Sequence, residues 1–288
     1  MKNIGRLKVL LVVISVIMGI VFIAGCGGQQ KATETSKAGD VQGTVTASGS
    51  TALLPLLKPA QEEFQKRHAK VTVNIAGGGS FTGQNQVASG SVNIGNSDVG
   101  LQDSLKNQGL VEHKLVGIPF VFIVNPGVTV DSLTQEQYIG IMTGKITNWK
   151  EVGGKDQAIS IIHRAKSSGS RATIAEVVLK GSAFTDNAVI QDSNGAVRAA
   201  ISTTPGAVGY VDAAYVDGSV KALAYNGVKY SLDSVQSGKY PVFTFGRMYT
   251  KGEPTGAAKA FIEYLTGKEF QESYAEKNGF VPLMKMPK

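Results

Sequence analysis

Three segments of the chain share one local design, in which a predicted strand passes through glycines and hydroxyl side chains into a predicted helix. They are 47–51 (ASGST), 77–83 (GGGSFTG) and 164–170 (RAKSSGS), ahead of helices predicted to begin at Leu53, Gln84 and Arg171. A helix start leaves backbone N–H groups without partners and favours negative charge. Ser and Thr are also ordinary N-caps, and Gly is ordinary in turns. One such segment would indicate capping alone, but three of them, one with an arginine, favour cradles for an oxyanion.

The rest of the chain alternates strands and helices in the same way. The predicted strands are 41–47, 71–75, 91–95, 115–124, 206–211, 221–225 and 241–249. The predicted helices are 53–68, 84–88, 134–143, 171–179, 257–265 and 268–278. Apolar residues recur at helical spacing in 53–68 and alternate in 71–75. This pattern predicts an α/β fold with helices covering the sheets.

The first 26 residues are typical of an export signal. Three cations precede an uncharged run, 9–25, that ends in Ile-Ala-Gly-Cys at Cys26. A basic start, an apolar stretch and small residues at the end indicate a secretory signal, and the run is short for a membrane-spanning anchor. The ending resembles a bacterial lipobox, which implies a signal peptide over 1–25 and lipidation, including palmitate, at Cys26. Segment 26–40 consists mainly of small and polar residues, so we expect it to be a flexible tether.

Charge and cysteine content exclude some classes of protein. The formal charge of +7 includes three signal cations, so the mature chain carries 7 − 3 = +4. Its basic residues are scattered, with no run longer than Lys66-Arg67, whereas a nucleic-acid surface needs a clustered basic face. Cys26 is the only cysteine, so no disulfide can form within the chain.

Motifs for catalysis are absent from the sequence. It contains neither a G-x-S-x-G elbow nor a G-x-x-x-x-G-K-[ST] loop, and His68, His113 and His163 lack metal-ligand spacing. His163 precedes Arg164 on a predicted strand, so their side chains should point to opposite faces. We therefore expect no enzymatic activity, no cofactor and no bound metal.

Several segments together resemble the phosphate-binding proteins of ABC importers, in the periplasmic-binding-protein superfamily. The resemblance covers nearly all of the mature chain and rests on 49–51, 79–83, 95–98, 144–149 (GKITNW), 164–171 and 206–211. It implies a type II, two-lobed α/β fold with a ligand cleft between the lobes. Lobe one would comprise 41–120 and 245–288, and lobe two 121–244, with crossings near 120–124 and 241–245.

The resemblance also implies a set of anion contacts. They are Thr51, Ala52 through its backbone N–H, Ser80, Asp98, Arg164, Ser168, Gly169 and Ser170. Ser50 remains an alternative to Thr51 as the donor of the first loop. Arg164 would offer a planar fork of donors. Asp98 would repel an anion unless that anion carries a proton, as phosphate does near neutral pH and sulfate does not, so it would discriminate between them.

The same resemblance implies partners and location. We expect a monomer that binds inorganic phosphate, docks on the permease subunits of an ABC importer, and is held by its lipid at the outer face of the cell membrane. One alternative is a binding protein for another oxyanion, such as sulfate or molybdate. The presence of Asp98 makes this alternative less favourable. A second alternative is a phosphate sensor or adhesin without a transporter.

Overall fold

Strands and helices alternate along residues 41–287, the part of the chain that this computed structural model describes. The strands are β1 (Gly43–Gly49), β2 (Val71–Ala76), β3 (Ile94–Ser97), β4 (Leu110–Val124), β5 (Ser132–Leu133), β6 (Ser160–Arg164), β7 (Val189–Gln191), β8 (Ala207–Asp212), β9 (Lys221–Ala222), β10 (Ala224–Tyr225), β11 (Phe243–Lys251) and β12 (Val281–Pro282). The helices are α1 (Leu54–Arg67), α2 (Ser80–Ala88), α3 (Gln135–Met142), α4 (Gly169–Val177), α5 (Asn194–Thr203), α6 (Leu232–Gln236), α7 (Gly256–Thr266) and α8 (Lys268–Phe270). The predicted signal peptide, 1–25, and the whole of the predicted tether, 26–40 with Cys26, lie outside the described residues.

One continuous sheet connects most of these strands. Its order is β2-β1-β3-β11-β4-β8-β6-β7, with β9 and β12 also paired to β4. The strands β1, β2 and β3 run parallel, and β6 runs parallel to its neighbours β7 and β8. The strands β4 and β11 are antiparallel to each other, and they join the two parallel sets. The sheet is therefore mixed, as expected for an α/β fold whose chain returns between two halves.

The long strand β4 divides the sheet into two wings. Its residues 110–119 pair with β11, and 120–124 pair with β8. We call β1–β3, β11 and 110–119 the first wing, together with α1, α2 and the loops that leave these strands. The second wing comprises β6–β8 and 120–124, together with α4 and α5. Every residue of β4 from Leu115 onward is buried, which accounts for its almost uninterrupted apolar sequence.

Helix α1 shows why the periodic segments fold as predicted. Its buried residues are Leu56, Leu57, Ala60 and Phe64, which form one face against the sheet. A proline in the first turn fits a helix start, and Lys66 and Arg67 in the last turn complement the dipole. The predicted helix 53–68 is confirmed within a residue at each end.

Two helices begin earlier than predicted. α2 begins at Ser80 and not at Gln84, and α4 begins at Gly169 and not at Arg171. The hydroxyl of Ser168 caps α4 by accepting the N–H of Arg171 at 3.2 Å. The polar residues that sequence reasoning placed ahead of the helices therefore lie in their first turns, where the free backbone N–H groups are.

Other differences from the predicted pattern are local. The strand predicted over 91–95 forms at Ile94–Ser97, and the strand predicted over 221–225 is split between β9 and β10. Helices α5 and α6 were not predicted. Trp149 is a core residue, and its indole N–H donates to the carbonyl of Gly206 at 2.9 Å. Across residues 41–287, none of the helices combines the length and the apolar character needed to cross a membrane.

Candidate anion-binding site

The predicted contacts converge where the two wings meet. The ends of β1, β3 and β6 and the starts of α2 and α4 bring them together. All of them are buried, and the exposure is at most 5% for Thr51, Ala52, Ser80, Asp98, Arg164, Ser168 and Ser170. Hydroxyl groups, one cation and one carboxylate do not collect in a protein interior unless they satisfy each other or a ligand.

Arg164 is the cation of the site. Its Nε donates to the carbonyl of Gln191 at 3.3 Å, and its Nη2 donates to the carbonyl of Asp192 at 2.9 Å. Nη2 also donates to the Oγ1 of Thr51 at 3.2 Å, and Nη1 donates to the Oγ of Ser170 at 3.4 Å. Two backbone carbonyls thus fix the guanidinium group of Arg164. Its two terminal nitrogens donate to a hydroxyl from each wing.

Asp98 is the carboxylate of the site. Its Oδ1 accepts a hydrogen bond from the hydroxyl of Ser50, and its Oδ2 accepts one from Ser170 at 3.2 Å. Its backbone N–H donates to the Oγ of Ser80 at 2.9 Å, and its carbonyl accepts from the hydroxyl of Thr244 at 2.8 Å. The side chain is therefore placed to accept protons from its surroundings.

Burial acts on the pKa values of both charged groups. It raises the pKa of Asp98, against the hydrogen bond from Ser50, the positive charge of Arg164 and the hydrogen bond from Ser170. It lowers the pKa of Arg164, against the negative charge of Asp98. The guanidinium stays charged at neutral pH because its ordinary pKa is so high. A carboxylate with a raised pKa is a strong acceptor for a proton that a ligand brings.

The first loop separates the roles of Ser50 and Thr51. The Oγ of Ser50 accepts the N–H groups of Ala52 at 3.1 Å and Leu53 at 3.3 Å, and its proton goes to Asp98. Ser50 is therefore fully engaged. Thr51 acts only as an acceptor towards the residues of 41–287, so its hydroxyl proton is uncommitted there. The N–H of Ala52, which the sequence suggested as an anion donor, is directed at Ser50.

The starts of α2 and α4 lie against each other across the wings. A Cβ at Gly169 would overlap the Oγ of Ser80 and lie 2.9 Å from the Cβ of Asp98. Gly79 has φ +94°, and a Cβ there would lie 2.5 Å from the carbonyl oxygen of Ser167. Only glycine permits both approaches, so these two positions allow the first turns of α2 and α4 to lie this close together.

Sequence reasoning missed Asn194 and Tyr215. Asn194 donates to the Oγ1 of Thr51 from its backbone N at 3.3 Å and from its Nδ2 at 3.0 Å. The hydroxyl of Tyr215 donates to the carbonyl of Thr51 at 2.5 Å. The sequence does contain an indication of Asn194. Segment 191–195 (QDSNG) resembles the three segments described above, because a strand leads through polar residues into a helix. It was overlooked because β7 is short and exposed, with no apolar alternation.

Asp212 is a second buried carboxyl near the site. Its backbone N–H donates to the Oδ1 of Asn194 at 3.0 Å, and its Oδ1 accepts the N–H of Ala214 at 2.9 Å. Its Oδ2 has no hydrogen-bond partner among the described residues. Burial raises the pKa of Asp212 well above its ordinary value, and the negative charge of Asp98 adds to the effect, against the bond from Ala214.

The neighbours of Arg164 turn away from the site. His163 is buried with its ring 4.5 Å from that of Phe184 in an edge contact. Burial, with the charge of Arg171, lowers the pKa of His163 to about 4, so the ring is neutral. Arg171 lies over Phe184 at 4.3 Å and donates to the carbonyl of Arg164 at 2.9 Å. Lys166 is exposed.

Comparisons with known proteins agree on one family. The model of the PBP superfamily domain matches residues 34–269. The phosphate-binding protein PstS of Bacillus subtilis is 37% identical over 284 residues, which are 96% of this chain and 94% of that protein. PstS of Borreliella burgdorferi is 27% identical and covers 84% of this chain and 91% of its own length.

Solved structures of phosphate-transport proteins are also similar to this chain. A substrate-binding protein of a phosphate ABC transporter from Clostridium perfringens, solved with bound phosphate, has a TM-score of 0.80 and 31% identity. The match covers 84% of this chain and 100% of that one. An ABC-type phosphate transport receptor from Vibrio cholerae has a TM-score of 0.67 and 26% identity, over 82% of this chain and 99% of its own.

Proposed function

The chain belongs to the PBP superfamily and, within it, to the family of the phosphate-binding protein PstS, and on this basis we propose that it captures inorganic phosphate for an ABC importer. The observation that carries the proposal is the buried pair of Arg164 and Asp98, surrounded by hydroxyls at the starts of helices. A cation and N–H groups favour an anion, and the carboxylate selects an anion that carries a proton.

The proposed contacts are Thr51, Ala52, Ser80, Asp98, Arg164, Ser168, Gly169 and Ser170. The contact of Ala52 requires its N–H to turn to the anion from the Oγ of Ser50, which accepts it at 3.1 Å. Arg164 supplies charge and a fork of donors. The hydroxyl protons of Thr51, Ser80 and Ser168 are donated to no other residue in 41–287, so they are free for an anion. Gly169 and Ser170 add backbone N–H groups from the first turn of α4. Between Ser50 and Thr51, we favour Thr51, because Ser50 gives its proton to Asp98.

Asp98 explains the choice of phosphate. A protonated phosphate oxygen can donate to Asp98, so that the close approach of two negative groups becomes a hydrogen bond. Sulfate and molybdate bring no proton near neutral pH, and their approach would place unneutralised charges together in a site with little water. The carboxylate therefore produces selectivity mainly by weakening the binding of the other oxyanions, and less by strengthening the binding of phosphate.

Closure of two lobes accompanies binding in this proposal. We assign 41–120 and 245–288 to lobe one and 121–244 to lobe two. The crossings fall on β4, where its pairing changes from β11 to β8, and at the start of β11, which supports these boundaries. An anion that contacts Thr51 and Arg164 together favours the closed state, because only that state makes both sets of contacts. The closed form is the form that docks on the permease.

Capture without chemical change is the second part of the proposal. Hydrolysis of a phosphate ester requires a nucleophile and a base in reach of each other. His163, the titratable side chain next to Arg164 in sequence, packs against Phe184, and neither of its ring nitrogens has a hydrogen-bond partner among residues 41–287. We therefore propose a binding protein and not a hydrolase, and from the family resemblance we also propose that it acts as a monomer.

We also propose that a lipid anchor determines where the protein is located. Signal peptide 1–25, tether 26–40 and lipidated Cys26 would hold the mature protein at the outer face of the cell membrane. The support is the basic start, the apolar run and the Ile-Ala-Gly-Cys ending. Attachment of two acyl chains gives the stable anchoring that a single chain does not.

Calorimetry against four oxyanions tests the proposed ligand. The protein, freed of bound phosphate by partial unfolding and refolding, is titrated with phosphate, arsenate, sulfate and molybdate at pH 7. We expect phosphate and arsenate to bind, because both carry a proton, and the other two to bind far more weakly. Sulfate or molybdate binding as tightly as phosphate would overturn the proposal. Restored phosphate uptake in a host that lacks its own binding protein separates transport from sensing.

A further inference from the structure

The hydroxyl oxygen of Thr51 receives an unusual number of donors. The Nη2 of Arg164 lies 3.2 Å from it, the backbone N of Asn194 lies 3.3 Å away, and the Nδ2 of Asn194 lies 3.0 Å away. All three residues are at most 5% exposed. A hydroxyl has two acceptor sites and one proton. Three donors share these two acceptor sites, and the Nδ2 of Asn194 is the nearest of them, so the side chain of Asn194 does most to occupy the acceptor side of Thr51.

The side chain of Asn194 is held in one orientation. Its Oδ1 accepts the backbone N–H of Asp212 at 3.0 Å. Since a carbonyl oxygen accepts and an amide nitrogen does not, this bond fixes Nδ2 on the other side, facing Thr51. Asp212 is the last residue of β8 and is itself buried, so the orientation is set by the core of the second wing. The amide cannot rotate without leaving the N–H of Asp212 unsatisfied.

Saturation of the acceptor side determines what Thr51 does with its proton. In the described part of the chain no residue accepts that proton. With Arg164 and Asn194 on its lone pairs, Thr51 can act towards a further group only as a donor. Accordingly its hydroxyl is prepared for an acceptor such as a phosphate oxygen, with no reorientation at the moment of binding.

We infer that Asn194 is a positioning residue of the phosphate site, which fixes the Thr51 hydroxyl as a donor to the bound anion and joins α5 to the first loop. The inference rests on the proposed function, and it adds a residue from a fourth helix start. Asn194 acts through Thr51, so the effect of replacing it should depend on whether residue 51 has a hydroxyl.

A double-mutant cycle measured with phosphate tests this dependence. Asn194→Ala should weaken phosphate binding by roughly tenfold, about 1.4 kcal/mol, as expected for loss of a hydrogen bond at a charged site. In a Thr51→Val background the same replacement should change the dissociation constant by less than about twofold. In a Thr51→Ser background, which keeps the hydroxyl, the roughly tenfold loss should return.

Two further variants keep the test decisive. Asn187→Ala, at an exposed position ahead of β7, should leave phosphate binding unchanged. If Asn194→Ala unfolds, Asn194→Asp replaces it, because a carboxylate can still accept the N–H of Asp212. That variant should lose phosphate binding, since its second oxygen accepts the Thr51 proton and adds negative charge.

The outcomes distinguish this inference from the proposed function. Wild-type protein that binds no phosphate contradicts the function itself. If the wild type binds phosphate and Asn194→Ala binds it equally well, the inference is wrong and the function stands. An equal loss from Asn194→Ala with and without the Thr51 hydroxyl would also overturn the inference, because it would show a structural effect independent of Thr51.

Discussion

The hydroxyl of Ser170 donates to the Oδ2 of Asp98 at 3.2 Å, and this hydrogen bond joins the second wing to the first. The same hydroxyl accepts from the Nη1 of Arg164 at 3.4 Å, so one oxygen links the cation of the site to its carboxylate. Asp98 thus already accepts hydroxyl protons from Ser170 and Ser50. A protonated phosphate oxygen would bind to it by the same chemistry.

Arg164→Ala should remove most of the affinity for phosphate. An anion in a buried site that loses its main cation typically loses about 2–5 kcal/mol of binding. Arg164→Lys should restore only part of the affinity, because lysine has charge but no planar fork. Calorimetry measures both, with Arg67→Ala on the exposed end of α1 as the matched control. Unchanged binding by a folded Arg164→Ala protein would place the site elsewhere.

Gly169→Ala should weaken phosphate binding by preventing closure. The added methyl group would overlap the Oγ of Ser80, so the starts of α2 and α4 must separate. We expect a loss of at least about 2 kcal/mol, by analogy with overpacking of a core. Gly218→Ala, where a Cβ would meet no atom within 4 Å, is the control. Equal binding by the two variants in calorimetry would show that closure does not need Gly169.

The sequence predicted those parts of the fold that depend on periodicity. α1 and β2 have regular apolar spacing, and both formed as expected. α5 was missed, and Asn194 with it, because the strand before it is exposed and only three residues long. The orientation of Asn194 depends on Asp212, eighteen residues further along the chain. Such a contact depends on tertiary packing, so local pattern could not reveal it.

The predicted cradles illustrate a second limit. Hydroxyls and glycines marked the right segments, but the first helical residue depends on which residue takes the N-cap position, and that residue need not have a hydroxyl. Ser168 caps α4, and Gly79 ends the loop before α2. The alternatives Ser50 and Thr51 are neighbours of the same chemical class. Only the position of Asp98, which takes the proton of Ser50, distinguishes them.

Asp212→Asn should make stability less dependent on pH. The pKa of Asp212 is raised in the folded protein, so the wild type, without phosphate, loses stability as the pH rises above the ordinary carboxyl value of about 4. The variant lacks this loss. Relative to wild type it should gain at least about 1 kcal/mol between pH 5 and pH 8.

Urea unfolding at the two pH values measures this gain. Asp217→Asn is the control, because hydrogen bonds from Ser219 lower the pKa of exposed Asp217. Its carboxylate is therefore ionised in the folded and unfolded protein at both pH values, and its replacement should leave the change of stability between them unaltered. Parallel changes of stability with pH in the wild type and Asp212→Asn would show that Asp212 ionises in the folded protein at no cost.

Cys26→Ala should abolish membrane attachment. The thiol is the proposed site of the lipid, and Cys26 is the only cysteine of the chain, so the variant has no thiol to which the lipid could be attached. Fractionation of cells, followed by mass determination, should find the variant either released or as an unprocessed precursor. A variant that remains in the membrane fraction at the size of the mature protein would refute the lipid anchor. Ser36→Ala, within the proposed tether, controls for the change itself.

The ratio of the sulfate and phosphate dissociation constants in wild type and in Asp98→Asn tests the central claim most directly. Asparagine removes the negative charge and adds an amide donor, so repulsion of sulfate disappears while the proton of phosphate loses its acceptor. The account predicts that the ratio falls by at least about tenfold, about 1.4 kcal/mol, in a folded variant. The ratio is the quantity to compare, because misfolding would weaken the binding of both anions to the same extent. An unchanged ratio would contradict the role of Asp98 and, with it, the claim that the site selects phosphate by its proton.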